Sequence, residues 1–235
     1  MKRETFADVV ELDGMPFRVN NGGGKHSCYV EILSVIHDQL EAMLSYHSKV
    51  LMLRLDLHLD GFSPDNHELS RFIEKIKRRY QEHYRGKRMG YVWVRELERA
   101  KQQHYHLALY LDANKIQHPA RLINWIEQRW QSRGHPKPFT PKNCFSVINR
   151  KNDSCKQAVF ERLSYLAKTR GKGYRCKDTN DYSGSRIKLK KDSAGDVTSQ
   201  ASSHPRAESN DGKSDQPIHK HLTVSRRLLR ESPQP

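Results

Sequence analysis

Several things are missing or scarce in this 235-residue chain, and each absence excludes something. There is no run of about 18 apolar residues, so a membrane-spanning helix is not expected. Met1-Lys-Arg-Glu-Thr is not followed by an apolar stretch, which argues against a secretory signal. Cysteines are few, and Cys28, Cys144, Cys155 and Cys176 show no CxxC spacing. A zinc knuckle or disulfide framework has no support, and four scattered thiols fit a reducing cytoplasm. No internal repeat is visible. Acidic residues fall short of basic ones, 27 Asp plus Glu against 42 Lys plus Arg, a formal charge of +15. Such an excess points to a polyanionic partner, most simply nucleic acid.

The charge is unevenly placed. From Lys191 onward there are seven Lys/Arg and six Asp/Glu in a stretch rich in Ser, Gly, Pro and Asp, too poor in large apolar residues to offset the entropy of ordering. Residues 190–235 are therefore expected to be a disordered polar tail, in which Leu222 to Leu229 could form a helical turn on a partner. Between Arg150 and Lys190 there are twelve basic and four acidic residues. This is a phosphate-binding footprint, with Arg162, Arg170, Lys172, Arg175 and Lys177 as the expected nucleic-acid contacts.

The folded part reads as alternating element types. Residues 1–29 are polar, pass through Gly22-Gly-Gly, and are expected to be a flexible lead-in. Ile32, Val35, Ile36, Leu40, Met43 and Leu44 recur at helical spacing. From Val50 to Leu59, leucines at every second position predict a half-buried strand. Ser63-Pro64 reads as N-cap and first residue of a helix that runs to about Tyr84. Gly90–Glu98 and His104–Leu111 read as two strands joined by a short turn at Arg99-Ala-Lys-Gln. Pro119 opens a helix that stops before Gly134. Cys144–Ile148 reads as a further strand, and Cys155 to about Thr169 as a last helix ended by Gly171. The order β-α-β-β-α-β with a helix at each end predicts an α+β, ferredoxin-like sheet, with both crossover helices on one face and the other face free for a site.

Two constellations could carry chemistry. In His104-Tyr105-His106 the imidazoles project from one face of a strand, away from Tyr105, Leu107, Leu109 and Leu111. If the turn lies at Arg99–Lys101, Glu96 sits opposite His104 on the same face, and two imidazoles and a carboxylate converge. Such a mixed nitrogen and oxygen site suits Mg²⁺ or Mn²⁺ with positions open for substrate. The other reading stays open: thirteen His make an incidental pair common, and Glu96 could pair with Arg95 or Arg99. Downstream, Tyr165 shares the polar face of its helix with Glu161, Arg162, Lys168 and Thr169 and is not core filler. A phenol with a reference pKa near 10 is a weak nucleophile toward phosphorus unless a metal polarises the phosphate. It could equally stack on a base, and Tyr174 and Tyr182 lie in the same basic segment.

Glu96-Leu-Glu-Arg-Ala-Lys-Gln-Gln-His104-Tyr-His106 followed by Tyr165-Leu-Ala-Lys168 resembles the HUH endonucleases, and more closely the single-tyrosine rolling-circle replication initiators. Val50–Leu59 corresponds to their first motif, His104 and His106 to the second, Tyr165-x-x-Lys168 to the third. The eight-residue spacing from Glu96 to His104 is similar to that in viral Rep proteins, where this Glu is the third metal ligand. Tyr105 departs from the aliphatic residue usual between the histidines. The whole stretch from Val50 to Leu189, including Leu53-Arg-Leu-Asp-Leu-His, looks like the YagK/YfjJ-type prophage proteins and the inovirus replication initiators.

The resemblance implies a nuclease domain over residues 30–189 that nicks and rejoins single-stranded or hairpin origin DNA through a covalent 5′-phosphotyrosine. Glu96, His104 and His106 would be the metal ligands, Tyr165 the nucleophile, and Lys168 its phosphate or metal-water partner. Asp56 and His58 would border the site without ligating. The setting implied is a bacterial cytoplasm, with host polymerase and helicase as partners, since no helicase P-loop follows the nuclease region. The alternatives are a non-catalytic nucleic-acid binder on a ferredoxin-like sheet and a transposase of the same chemistry.

Overall fold

The alternating leucines after residue 50 build the middle of a five-stranded antiparallel sheet. In the computed structural model, which describes residues 2–97, 103–173, 176 and 179–191, the elements follow one another in this order. After β1 (Glu4–Thr5), β2 (Val9–Leu12), β3 (Met15–Arg18) and β4 (Cys28–Tyr29) come α1 (Val30–Tyr46), β5 (Lys49–His58) and α2 (His67–Tyr84). Next are β6 (Met89–Leu97), β7 (Gln103–Asp112), α3 (Ala120–Gln131), β8 (Phe145–Asn149) and α4 (Asp153–Ser164), then a 3₁₀ turn (Tyr165–Ala167) and β9 (Tyr182–Gly184). The large sheet is ordered β8-β5-β7-β6-β9 with every neighbouring pair antiparallel. The expected turn at 99–102 and the tail from residue 192 lie outside the described residues.

Side-chain parity decides what each face of the sheet meets. Leu51, Leu53, Leu55 and Leu57 of β5 and Leu107, Leu109 and Leu111 of β7 bury against Phe72 and Ile76 of α2 and Ile126 and Trp130 of α3. Each such leucine taken fully out of water is worth about 1.5–3 kcal/mol. The opposite parity, Val50, Met52, Val94, Ala108 and Tyr110, packs under Ile32, Ile36 and Leu40 of α1 and Phe160 and Leu163 of α4. The expectation of a free sheet face is therefore corrected. α1 and α4 cover it, β7 is buried from Gln103 to Leu111, and only the end of the sheet where β5 and β6 finish and β7 begins remains for chemistry.

Other departures from the sequence reading have local causes. Residues 2–29 are not a bare lead-in but form two small two-stranded sheets, and Phe17, Val19 and Cys28 are buried in the α1/α4 core. Four φ-positive glycines, Gly14 and Gly22 to Gly24, sit among them, and they mimic the composition of a linker. α2 begins at His67 rather than Pro64, because the carbonyls of Ser63 and Pro64 accept bonds from Arg95 Nη2 (2.7 Å) and Thr179 Oγ1 (2.6 Å) instead of helix amides. β9 was not expected; it pairs Tyr182 with Val94 at the sheet edge. The last helix ends at Ser164, whose buried hydroxyl donates to Glu161 O (2.7 Å) and accepts from the Asn20 amide (2.7 Å), and the chain tightens into the 3₁₀ turn. Cys28, Cys144 and Cys155 form no disulfide among the described residues, and no helix among them is long and apolar enough to cross a membrane.

Two stability predictions arise here. A Cβ on Gly86 would stand 2.0 Å from the ring of buried Tyr80, whose hydroxyl accepts from the Asp112 amide. Gly86→Ala is expected to cost on the order of 1–3 kcal/mol through overpacking, read as a lower urea midpoint at unchanged m; equal midpoints would contradict the close approach. At the start of α2, Glu68 is gripped by the Arg133 guanidinium beyond α3, with one contact at 2.6 Å. Arg133 holds the Glu68 carboxyl down from 4.5 to about 2. A depressed carboxylate pKa stabilises the fold above the unfolded value and loses that contribution as pH falls. The stability gap between wild type and Glu68→Gln should therefore be present above about 4.5 and shrink toward about 2. A gap that grows on acidification would contradict it.

Candidate active site

At the open end of the sheet, the β6/β7 register sets Glu96 opposite His104 and Val94 opposite His106. Both imidazoles and the Glu96 carboxylate emerge on the same face, as the parity required. Glu96 Oε2 lies 3.3 Å from His106 Nε2 and 3.6 Å from His104 Nε2, and one ligand atom from each residue falls within 4.8 Å of the others. Adjacent donors around a divalent ion at 2.0–2.1 Å stand about 3 Å apart, so these three could hold one ion with small side-chain adjustments. The donor set fits: two neutral imidazole nitrogens and a carboxylate oxygen, with the rest of the sphere left to substrate and water.

The neighbouring strand completes the site. β5 pairs Asp56 with His106 and His58 with His104. His106 Nδ1 donates to Asp56 Oδ1 at 2.7 Å, which leaves Nε2 directed at Glu96, to donate to the carboxylate when protonated or to offer its lone pair to a metal ion when not. Asp56 is itself held by Arg54 (3.4 Å) and by a two-way backbone bridge to Phe139 (2.9 Å each way). His58 stacks on His104 with ring centroids 5.1 Å apart. Asp56 and the His pair are nine-tenths buried or more, so these orientations are fixed before any ligand arrives.

Tyr165 arrives from the other side. Its ring stands edge-on to His106, centroids 6.3 Å apart, and it is 39% exposed. Lys168 Nζ lies 4.2 Å from the ring centre and the Arg54 guanidinium 5.3 Å. A cleft of about 550 Å³ is lined by Tyr165, His104, His106, Arg162, Asn20 and Phe139, among others. The phenol, the histidines and two arginines thus border one space.

The electrostatics suit a cation. Burial alone would raise the Glu96 carboxyl, but hydrogen bonding to His104 and His106 and the Lys172 charge outweigh it and hold it far below the ordinary carboxylate range. Burial likewise pulls His106 down, and its bonds to Asp56 and Glu96 overcome this and raise it. Lys172 departs from its expected role. Its side chain is fully buried, ion-paired with Glu96 Oε1 at 2.6 Å and bonded to Lys168 O, so it orients the carboxylate rather than meeting nucleic acid. Gly171, at φ +76°, turns the chain so that Lys172 enters there, and the Gly171 carbonyl accepts from the Leu97 amide.

Of the other expected contacts, Arg162 lines the cleft and donates to Lys142 O (2.6 Å), Arg170 is exposed, and Arg175 and Lys177 lie outside the described residues. Lys168 lies against the tyrosine ring rather than the metal cluster. Tyr182 is held in β9, and Tyr174 is outside the described residues. Sequence reasoning underrated Asp56 and missed Phe139 and Asn20. Asp56 had a signal: Arg54, Asp56 and His58 are the polar positions on the non-leucine face of β5. Phe139 and Asn20 come from loops with none.

These features define a class: an α+β protein with a His/His/Glu cluster that could hold a metal ion at a sheet end and an exposed tyrosine against it. The chain belongs to the YagK/YfjJ C-terminal domain family, whose model matches residues 19–182. The match takes in β4, α1 and part of the segment expected to be a lead-in. The chain is also similar to YfjJ of Escherichia coli (strain K12), 27% identical over 58% of this chain and 85% of that protein. No solved structure matches it.

Proposed function

We propose that this protein is a metal-dependent nicking and joining enzyme of the HUH type, acting on single-stranded DNA through a 5′-phosphotyrosine. By the same reading it initiates rolling-circle replication of a phage or prophage element in a bacterial cytoplasm. The observation that carries this is the convergence of Glu96, His104 and His106 with Tyr165 on one cleft. The order β8-β5-β7-β6 with α2 and α3 as crossovers on one face agrees with a ferredoxin-like core, which supports it.

In the reaction, the Tyr165 oxygen bonds to phosphorus as the bond from phosphorus to the 3′ oxygen breaks. The phenolic proton is lost and the departing strand end takes one up as a 3′ hydroxyl, leaving the 5′ phosphate on the enzyme. Mg²⁺ or Mn²⁺ at the cluster would polarise the scissile phosphate and ease departure of the 3′ oxygen. Asp56 fixes the His106 tautomer, Lys172 steers Glu96, and Lys168 and Arg54 offer charge-assisted bonds to phosphate oxygens beside the phenol. Rejoining is the reverse attack by a 3′ hydroxyl on the phosphotyrosine.

The test is incubation with a randomised single-stranded DNA library and Mn²⁺, with and without EDTA. Metal-dependent cleavage leaving a 3′ hydroxyl and a protein-bound 5′ end is expected. Binding without cleavage in any metal would instead favour a plain nucleic-acid binder.

A further inference from the structure

The helical layer on the far side of the sheet from the cleft carries a concentration of charge that the site does not use. From His67 to Arg88 there are eight Lys/Arg against three Glu. α2 buries Leu69, Phe72, Ile73, Ile76 and Tyr80, which turns Arg71, Lys75 and Arg78 outward at i, i+4 and i+7. Arg85 continues the row past the helix end, and all four side chains are exposed. At 1.5 Å per residue the row is about 20 Å long. Its carboxylates are few and mostly engaged: Glu68 by Arg133, Glu74 by Lys77 at 3.6 Å, with Glu82 alone standing in the row. Arg71, Lys75 and Arg78 make no ion pair among the described residues. α3 packs alongside, with Arg79 of α2 over the Trp125 ring (5.6 Å), and adds exposed Arg121 and Arg129.

We propose that this α2/α3 face binds duplex DNA through its phosphates, as a second surface on the opposite side of the sheet from the tyrosine cleft. The proposal goes beyond the nicking reaction and stands without it. A rigid, nearly straight row of cations matches a polymer with one negative charge per about 1.7 Å of axis. None of the exposed large apolar side chains among the described residues lies on α2 or α3. Single-strand binding, which relies on aromatic platforms, and membrane insertion, which needs an apolar face, are both disfavoured there.

The test uses the full chain with Arg71→Gln, Lys75→Gln and Arg78→Gln combined; glutamine keeps helix propensity. Fluorescence anisotropy is read at several salt concentrations with a short DNA duplex, an oligo-dT of equal length, an RNA duplex and anionic vesicles. Duplex DNA affinity is expected to fall at least about tenfold, and the slope of log K against log salt to shrink by about one unit per cation removed. Oligo-dT and Mn²⁺ binding should stay within about twofold of wild type. Arg71→Lys with Arg78→Lys should bind as wild type, and Lys75→Gln alone, the variant of record if the triple does not fold, should shrink the slope by about one. Unchanged duplex DNA binding, an equal loss for oligo-dT, or a loss confined to duplex RNA or vesicles would each overturn the proposal.

Discussion

Tyr165→Phe is expected to abolish the covalent protein–DNA adduct, lowering its rate of formation by more than about 10³-fold, while folding and Mn²⁺ binding stay at wild-type levels. The substitution removes one oxygen from a ring that is 39% exposed and held by Lys168, Arg54 and His106 contacts to the ring itself. The ring contacts survive, so little stability is lost, and a collapse of activity would report the lost nucleophile alone. Adduct forming at an undiminished rate would remove Tyr165 from the chemistry, whatever its closeness to the histidines.

The second large effect is expected at the histidine pair. His106→Ala should reduce Mn²⁺ affinity at least about 100-fold, and Asp56→Asn by about 10–100-fold, although Asp56 is not in the Glu96/His104/His106 set. The bond from His106 Nδ1 to Asp56 is what leaves Nε2 free toward Glu96. Protons compete for that nitrogen. In the metal-free protein His106 titrates above its ordinary value, because Asp56 and Glu96 outweigh burial. Mn²⁺ affinity should therefore weaken as pH falls, with the decline setting in above the ordinary histidine range. Titration calorimetry across pH checks both points. Wild-type affinity in His106→Ala, or tighter binding in acid, would contradict the assigned ligands.

Much of this site was legible because β-strand periodicity is strict. Once His104 and His106 are placed on a strand, both must share a face, and a short hairpin must bring Glu96 across; the register does so. The same logic extended to β5 would have found Asp56, since Arg54, Asp56 and His58 alternate against the leucines. Tyr165 was placed on a regular helix and lies instead on a 3₁₀ turn, because the tertiary bond from Asn20 to Ser164 has no local signature. Lys172 looked like any lysine of a basic segment. Its burial depends on the chain reversal at Gly171, and only three-dimensional packing against Glu96 reveals it. The N-terminal strands escaped notice for a similar reason: they are two to four residues long and are stabilised by packing Phe17 and Cys28 onto α1 and α4, not by a pattern of their own.

The most direct measurement is tandem mass spectrometry of the protein–oligonucleotide adduct formed with Mn²⁺ and, in parallel, with EDTA. The expected result is a single modified tyrosine, Tyr165, carrying the 5′ phosphate in the Mn²⁺ sample and no modified peptide in the EDTA sample. A phosphate mapped to another tyrosine, or equal adduct with the metal removed, would contradict the joint action of the phenol and the Glu96/His104/His106 cluster.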